Sequence, residues 1–427
     1  MSHDAPLFAG IDLGTSGVRG VCVDEQLQTC CSASVVFDNE KDDRRDPQLW
    51  WLAVKTVLRQ LTGQVAAARI VSIAVDGTSG TMIAVNETGE PMGDALLYND
   101  PCHAEGTLEK IAMHAPASSA VHGATSGLAR AISLTARHSH SSIMHEADWI
   151  AFKLTGLPGI SDENNALKTG YDPIAREWPA WIDNTGIFRS QLPRVVPAGQ
   201  LIAPIHTPAA KATGLDANTR VVAGTTDGCA SFLATGAASP GDGVTVLGST
   251  LTIKLLSDSP LCAPEYGIYS HRIGDAWLAG GASNTGGNVL AKFFQPDEIE
   301  SLCARIDTSA PSALDYYPLP SPGERFPIND SHLEPRLSPR PNDDSLFLYG
   351  ILDGIAKIEV LAYQRLRELG APVLQSVRTV GGGAHNATWT AIRQQHLNVQ
   401  FPQSDSAQAA VGTARLARNG YQSETLT

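Results

Sequence analysis

Residues Leu7–Glu25, LFAGIDLGTSGVRGVCVDE, decide the fold. An apolar run ends in Asp12, a Gly-Thr-Ser-Gly turn follows at Gly14–Gly17, and a second β-rich run, Val18–Val23, leaves it. Five residues separate the two runs, too few for a parallel crossover, so the strands pair as antiparallel neighbours. The turn gathers several backbone N–H groups and the hydroxyls of Thr15 and Ser16, with the Asp12 carboxylate on its shoulder. Such a turn can hold a phosphate tail and its metal without a lysine. An ordinary hairpin has the same signature, so the segment needs support from elsewhere in the chain.

That support is recurrence. Val244–Leu256, VTVLGSTLTIKLL, is again strand, Gly-Ser-Thr turn and strand, and it lies near the start of the second half. Two halves that each open with a hydroxyl-bearing hairpin turn predict a duplicated architecture built around a nucleotide. A third stretch, Val75–Thr81 (VDGTSGT), is either a substrate-facing turn or a plain hairpin. Neither a Walker A loop nor a G-x-G-x-x-G opening a helix is present.

Composition bounds the partners. At 427 residues the chain is too long for one core and calls for two domains of about 200 residues each. A net charge of −13 argues against nucleic acid or an anionic membrane as partner. It also means that overall charge does not draw in a nucleotide, so local N–H groups and a divalent cation must. Seven cysteines without a C-x-x-C pair read as reduced thiols of a cytoplasmic protein. His138, Ser139, His140 and Glu146 cluster in sequence without a metal-ligand spacing. No apolar run approaches membrane-spanning length, and the start of the chain lacks a basic leader.

Along the chain, apolar Leu49, Ala53, Val57, Leu61 and Val65 predict a helix over 47–65, opened by Asp46 and Pro47. Ile70–Val75 reads as a buried strand, with Thr81–Val85 returning from it. Ser141–Leu154 reads as a second long helix. Leu192–Pro208 is extended and connects the halves, and Val221–Gly224 opens the second domain as a buried strand. Gly281–Phe294 passes from a Gly-rich loop into a helix. Tyr316–Pro341 holds seven prolines and is irregular. Asp344–Leu369 is a long helix, and the tail after Gly420 is expected to fray.

Eight segments in order carry a resemblance to a known family: DLGTSG (Asp12–Gly17), DPQLWW (Asp46–Trp51), WIAFKLTG (Trp149–Gly156), LPRVVPAGQLIAPI leading to VVAGTTDGCASFLATGA, GST (Gly248–Thr250), GER-x-P (Gly323–Pro327), VGGGAHNATW (Val380–Trp389) and SAQAAVGTARLA (Ser406–Ala417). The chain resembles a carbohydrate kinase of the FGGY family over nearly its whole length. The resemblance implies an α/β protein with the two-domain actin-like ATPase (ribonuclease H-like) fold and a cleft between the domains. Residues 1–220 would form the sugar and phosphate side, and residues 221–427 the nucleotide side. The chain is shorter than many members, which puts oligomer contacts and regulation in question.

Phosphoryl transfer needs in-line geometry, charge neutralisation and a group that takes the hydroxyl proton. The resemblance gives Asp227 the role of catalytic base. The sequence agrees, since Asp227 follows a buried strand and starts an apolar helix, where Thr226 can cap and leave Asp227 free. Asp12 is the second catalytic carboxylate and the expected Mg²⁺ ligand, through water. Thr15, Ser16, Gly248, Ser249 and Thr250 are expected on the ATP phosphates, and Gly286, Gly382, Gly383 and Asn386 around adenosine. Arg19 either reaches phosphate or is a solvated strand residue. The sugar is expected to meet Asp12, Thr78, Ser79, Asp100 and Asp227. Tyr98-Asn99-Asp100 stands where many members read Trp-x-Asp-x-Arg, and Cys102 takes the Arg place. That departure weakens xylulose-, glycerol- and gluconate-kinase assignments, and the short length with the DGTSGT segment instead resembles the D-ribulose kinase branch of cyanobacteria and plants. The expected reaction is therefore ATP-dependent phosphorylation of a ketopentose, D-ribulose above all. D-Xylulose, L-ribulose or a polyol are alternatives, as is a non-catalytic nucleotide-binding regulator. The expected partner is a small sugar, with no nucleic acid or membrane, and the protein a monomer or homodimer.

Overall fold

The structure, a computed structural model, describes residues 5–102, 105–138 and 140–425. Ser139, one of the residues weighed as a metal cluster, lies outside them. The chain divides into two compact units. One holds the chain as far as Ala234, together with His271–Gly274 and the return from Gln408; the other holds Thr235–Ser270 and Asp275–Ala407.

The first unit is built on a seven-stranded mixed sheet. The opening hairpin forms β1 (Leu7–Gly14) and β2 (Gly17–Val23), antiparallel in register from Phe8↔Val23 to Gly14↔Gly17, with Thr15 and Ser16 alone in the turn. Gly17 has φ +146, and a Cβ there would meet the Val35 carbonyl oxygen at 2.1 Å, so only glycine closes this turn against β3 (Thr29–Val36). Helix α1 (Pro47–Thr62) starts where expected, with the Asp46 carboxylate accepting the Gln48 N–H. It leads to β4 (Ile70–Gly77), parallel to β1 with Asp12 opposite Asp76.

Period-2 alternation sorts β1 and β4 between two layers. Leu7, Ile11, Leu13, Ile73 and Val75 face the core under α1. Phe8 and Ala74 face the opposite core. Asp12 and Asp76 share this second face, at the carboxyl ends of their strands.

Four expectations change here. Strand β5 (Met82–Val85) does not return along β4; it pairs with β6 (Ser142–His145), which occupies the first residues of the expected long helix. The helix proper, α2 (Glu146–Thr155), starts only where His145 N–H finds the Asp148 carboxylate at 3.3 Å. The segment expected to connect the halves stays in the first unit, and its Leu201–Pro204 pairs antiparallel with Arg220–Val222, which lies parallel to β4. Val221 is thus on an inner strand of the first sheet, and Thr225 and Thr226 add to the far end of β4 before helix α3 (Asp227–Ala234).

The chain's end covers this sheet. Helix α4 (Ala409–Thr425) crosses α3 so closely that a Cβ on Gly412 would meet the Ala230 carbonyl oxygen at 1.9 Å. It does not fray after Gly420. The Tyr421 ring lies 6.0 Å from that of Phe8, and Glu424 pairs with Arg220 at 3.1 Å.

The second unit repeats the scheme. Asp242–Leu247 and Leu251–Ser257 form the second hairpin, flanked by Ala276–Ser283 and, in parallel, by Ser376–Val380. The Asp344–Glu368 helix covers it and supplies much of its core. Its one fully buried ion pair, among the described residues, joins Arg393 and Glu359 in a bidentate contact of 2.6 and 2.7 Å. The proline-rich stretch is irregular as expected. It is pinned by Glu324, whose carboxylate accepts the Asn284 and Arg325 N–H groups at 2.8 and 3.0 Å and the Ser283 hydroxyl at 2.5 Å.

Candidate active site

Three carboxylates gather at the carboxyl ends of the first unit's central strands, the end where open α/β sheets place their ligands. Asp12 is 8% exposed and Asp76 fully buried. Asp227 is half-buried at the start of α3. Thr226 Oγ1 caps α3 by accepting the Cys229 N–H at 3.4 Å, so Asp227 is not needed as the cap. Asp227 Oδ1 takes the adjacent Gly228 N–H at 2.7 Å.

Burial raises the Asp12 carboxyl above its ordinary range; Arg19 opposes this, and the Asp227 charge adds to it. Arg19 Nη1 lies 3.7 Å from Asp12 Oδ2, so its nearest charged partner is this carboxylate. Asp76 is pushed up further, by burial first and then by the Asp12 charge. The Thr413 hydroxyl donates to Asp76 Oδ2, while Oδ1 has no donor and the hydrogen-bond neighbour of the carboxyl is Asp12 itself. Two like charges brought this close disfavour ionising both, so each acid raises the other.

Sequence reasoning missed Asp76. A signal for it existed, since the V-D-G at Val75–Gly77 ends an apolar run just as the Asp12 segment does. Parallel pairing makes the two acids neighbours, and that pairing cannot be read from either segment alone.

Next to this cluster lies a cavity of about 180 Å³, lined by Leu13, Gly14, Thr15, Phe37, Arg44, Trp50, Thr78, Thr81, Leu97, Tyr98, Asn99 and Glu146. Thr78 was expected on the sugar, and Thr15 on the ATP phosphates. Ser79 is not among the lining residues, although its Oγ is buried without a partner. Asp100 is not among them either. Its carboxylate accepts from Arg45, at 2.8 Å for Nη2 and Oδ1, and from the Leu97 N–H at 2.8 Å. Arg45 accordingly holds the Asp100 carboxyl below its usual range. Asp100 positions the Tyr98–Asn99 loop and has its oxygens occupied. Buried Arg130, also missed, holds the same loop. Its guanidinium donates to the carbonyls of Gly80, Tyr98 and Thr125 at 2.9, 2.8 and 2.8 Å. The clue was a charged residue within the otherwise uncharged helical run Gly127–Leu134.

In the second unit, the Gly248–Thr250 turn follows directly on Asp242–Leu247, and Gly286 and Gly383 pack against this end. The Gly248–Thr250 turn is held by Gly287 N–H to the Gly248 carbonyl at 2.8 Å and Asn288 N–H to the Ser249 carbonyl at 3.0 Å. Gly286, at φ +135, packs against this turn, and a Cβ there would lie 2.8 Å from the Thr250 backbone. Gly382 faces open space, whereas a Cβ on Gly383 would meet the Trp389 ring at 2.7 Å. Asn386, expected at the adenine edge, caps the helix Ala387–Leu397 by accepting the Trp389 N–H at 2.9 Å, and its Nδ2 points to Cys303 Sγ at 3.2 Å. Ser16 and Ser249 are exposed on their turns.

No group of three His, Cys, Asp or Glu side chains among the described residues is placed to hold a metal unaided. Asp12 can still offer an oxygen to a cation, because its ion pair with Arg19 is loose, at 3.7 Å. A hard divalent ion bound at one carboxylate would complete its shell with water and phosphate oxygens.

The match to the FGGY family of carbohydrate kinases, N-terminal domain, covers residues 7–123 and 130–234, just over half of the chain. The chain belongs to the FGGY family of carbohydrate kinases. It is therefore a phosphotransferase acting on a small sugar, and FGGY sugar kinases use ATP. Among curated relatives, it is 24% identical to the xylulose kinase of Escherichia coli (strain K12), over 96% of this chain and 90% of that one. It is 24% identical to the erythritol kinase of Brucella abortus (strain 2308), over 98% of this chain and 88% of that one. The crystal structure of Plasmodium falciparum glycerol kinase with ADP superposes with a TM-score of 0.83 at 15% identity, covering 98% of this chain and 90% of that one. The fold is the two-domain actin-like ATPase fold of FGGY sugar kinases. No described helix is long and apolar enough to cross a membrane.

Proposed function

We propose that this FGGY kinase transfers the γ-phosphoryl group of ATP to the terminal hydroxyl of a ketopentose, D-ribulose before D-xylulose. The observation that carries the reading is the carboxylate cluster itself. Asp12 and Asp227 belong to one electrostatic group, and the chain runs from Asp12 straight into cavity-lining Leu13, Gly14 and Thr15. Asp227 takes the proton of the attacking hydroxyl. An ordinary carboxylate suffices, because in a loose transition state the proton leaves late.

Asp12 would hold Mg²⁺ through water. The ion, when bound, neutralises the charge on the transferred phosphoryl group. Thr15 and Ser16 donate to phosphate from the first turn, and Gly248, Ser249 and Thr250 from the second. Gly286 shapes that second turn. Gly382 and Gly383 supply the open backbone surface for adenosine, and Asn386 fixes the helix that follows. Thr78 and Ser79 address sugar hydroxyls, with Asp100 holding the loop beside them. The reaction belongs in the cytoplasm, where thiols such as these seven stay reduced, with the protein a monomer or homodimer.

D-Ribulose is favoured because the family's guanidinium near the sugar is replaced by Cys102, which is buried, while Arg130 is occupied by backbone carbonyls. D-Xylulose is the second reading, favoured by the xylulose kinases among the relatives. Coupled ADP formation over a panel of ketopentoses and polyols separates them. The expected result is a higher kcat/KM for D-ribulose than for D-xylulose, with glycerol poor and the ratio narrowed by Ser79→Ala. A preference for D-xylulose would remove the D-ribulose reading.

A further inference from the structure

The reaction as proposed makes no use of Glu146, whose sequence neighbours suggest only a place beside a histidine cluster. It is the first residue of α2, fixed by its own N–H to the Thr81 carbonyl at 3.1 Å. Its side chain folds back under the strand end, so that a Cβ on Gly77 would lie 2.8 Å from Glu146 Cγ. Oε1 accepts the Thr78 N–H, and the Thr78 hydroxyl lies beside the same carboxyl. The residue is 5% exposed, yet it lines the cavity with Thr15, Thr78, Thr81 and Asn99.

Oε1 is thus anchored, and the carboxyl borders the space that a substrate would enter. We propose that Glu146 is a specificity-determining residue of this cavity, presenting its carboxyl as a hydrogen-bonding group to a hydroxyl or carbonyl of an uncharged polyhydroxylated substrate. The assignment rests on the ketose-kinase reading above. Burial, opposed by the Thr78 hydrogen bonds and aided by the charges of Asp227 and Asp12, raises the carboxyl well above its ordinary range and so favours the protonated form that can donate. Arg44 also lines the cavity, but its Nη2 donates to Asn39.

A site built to hydrogen-bond a substrate hydroxyl discriminates strongly, since a ligand without that group leaves the buried partner unpaired. Glutamine preserves this pattern: its carbonyl accepts from Thr78 and its amide donates from the Oε2 position. Methionine fills similar space and does neither.

The test measures KM for D-ribulose, D-xylulose and ATP in the parent, Glu146→Gln and Glu146→Met enzymes, with thermal unfolding as a check on folding. The expected ketose KM is within about threefold of the parent for the glutamine variant and at least about tenfold higher for the methionine variant, with KM for ATP unchanged in both. A parental ketose KM in Glu146→Met overturns the assignment. Should that variant fail to fold, a tenfold rise in ketose KM for a folded Glu146→Gln enzyme overturns it equally. A parent that phosphorylates no sugar on the panel overturns the ketose-kinase reading instead.

Discussion

Replacing Asp76 with asparagine should change how stability depends on pH. In the folded chain the Asp76 carboxyl is fully buried against Asp12, and its Oδ1 faces no donor, so the pair retains a proton well above the usual carboxylate range. Unfolding exposes Asp76 to water, where its pKa falls to about 3.9 and the proton leaves. The folded state thus binds one more proton than the unfolded state over the whole window above about pH 4 and below the raised folded value. Stability from this pair is complete at low pH and declines as pH rises through that window, by up to about 1.4 kcal/mol per pH unit. The asparagine of Asp76→Asn cannot titrate, and its amide can donate to Asp12 while its carbonyl accepts the Thr413 hydroxyl. The variant's stability relative to the parent should therefore improve steadily with pH. Urea unfolding at half-unit pH steps, following the first transition, measures the difference. A gap between variant and parent that is flat with pH, or that moves the other way, would refute the raised Asp76 carboxyl.

Two further outcomes bear on the second unit. Gly382→Val should weaken ADP binding in calorimetry without weakening sugar binding or lowering thermal stability, because a Cβ at Gly382 meets nothing within 4 Å; equal loss for both ligands would make this glycine structural. Arg393→Met leaves Glu359 buried and unpaired, and should cost about 3–5 kcal/mol in denaturant unfolding, with much of the loss restored by adding Glu359→Leu; no recovery in the double variant would show that Arg393 matters through packing.

What could be read from sequence was what local rules control. The opening hairpin, the α1 start at Asp46 and Pro47, and the Thr226 cap beside Asp227 all depend on a few adjacent residues. Pairing between distant segments was not legible. Asp76 meets Asp12 only because β4 lies parallel to β1, and Ser142–His145 is a strand only because β5 is there to pair with it. Nothing local in the sequence signals that Arg45 and a helix N-terminus occupy the side chains of Asp100 and Asn386. Glu146 was hidden for a similar reason, since its carboxyl group reaches the cavity by folding back from a helix start.

The most direct test of the kinase reading compares ADP formation, with and without ketopentose, in the parent and in Asp227→Asn. The parent should release ADP only when a sugar is present. Asp227→Asn should lower this sugar-dependent turnover by roughly 10²–10⁴-fold, the usual size of a general-base loss, while ADP affinity stays the same. Turnover of the variant within a few-fold of the parent, or ATP hydrolysis by the parent that no sugar stimulates, would contradict it.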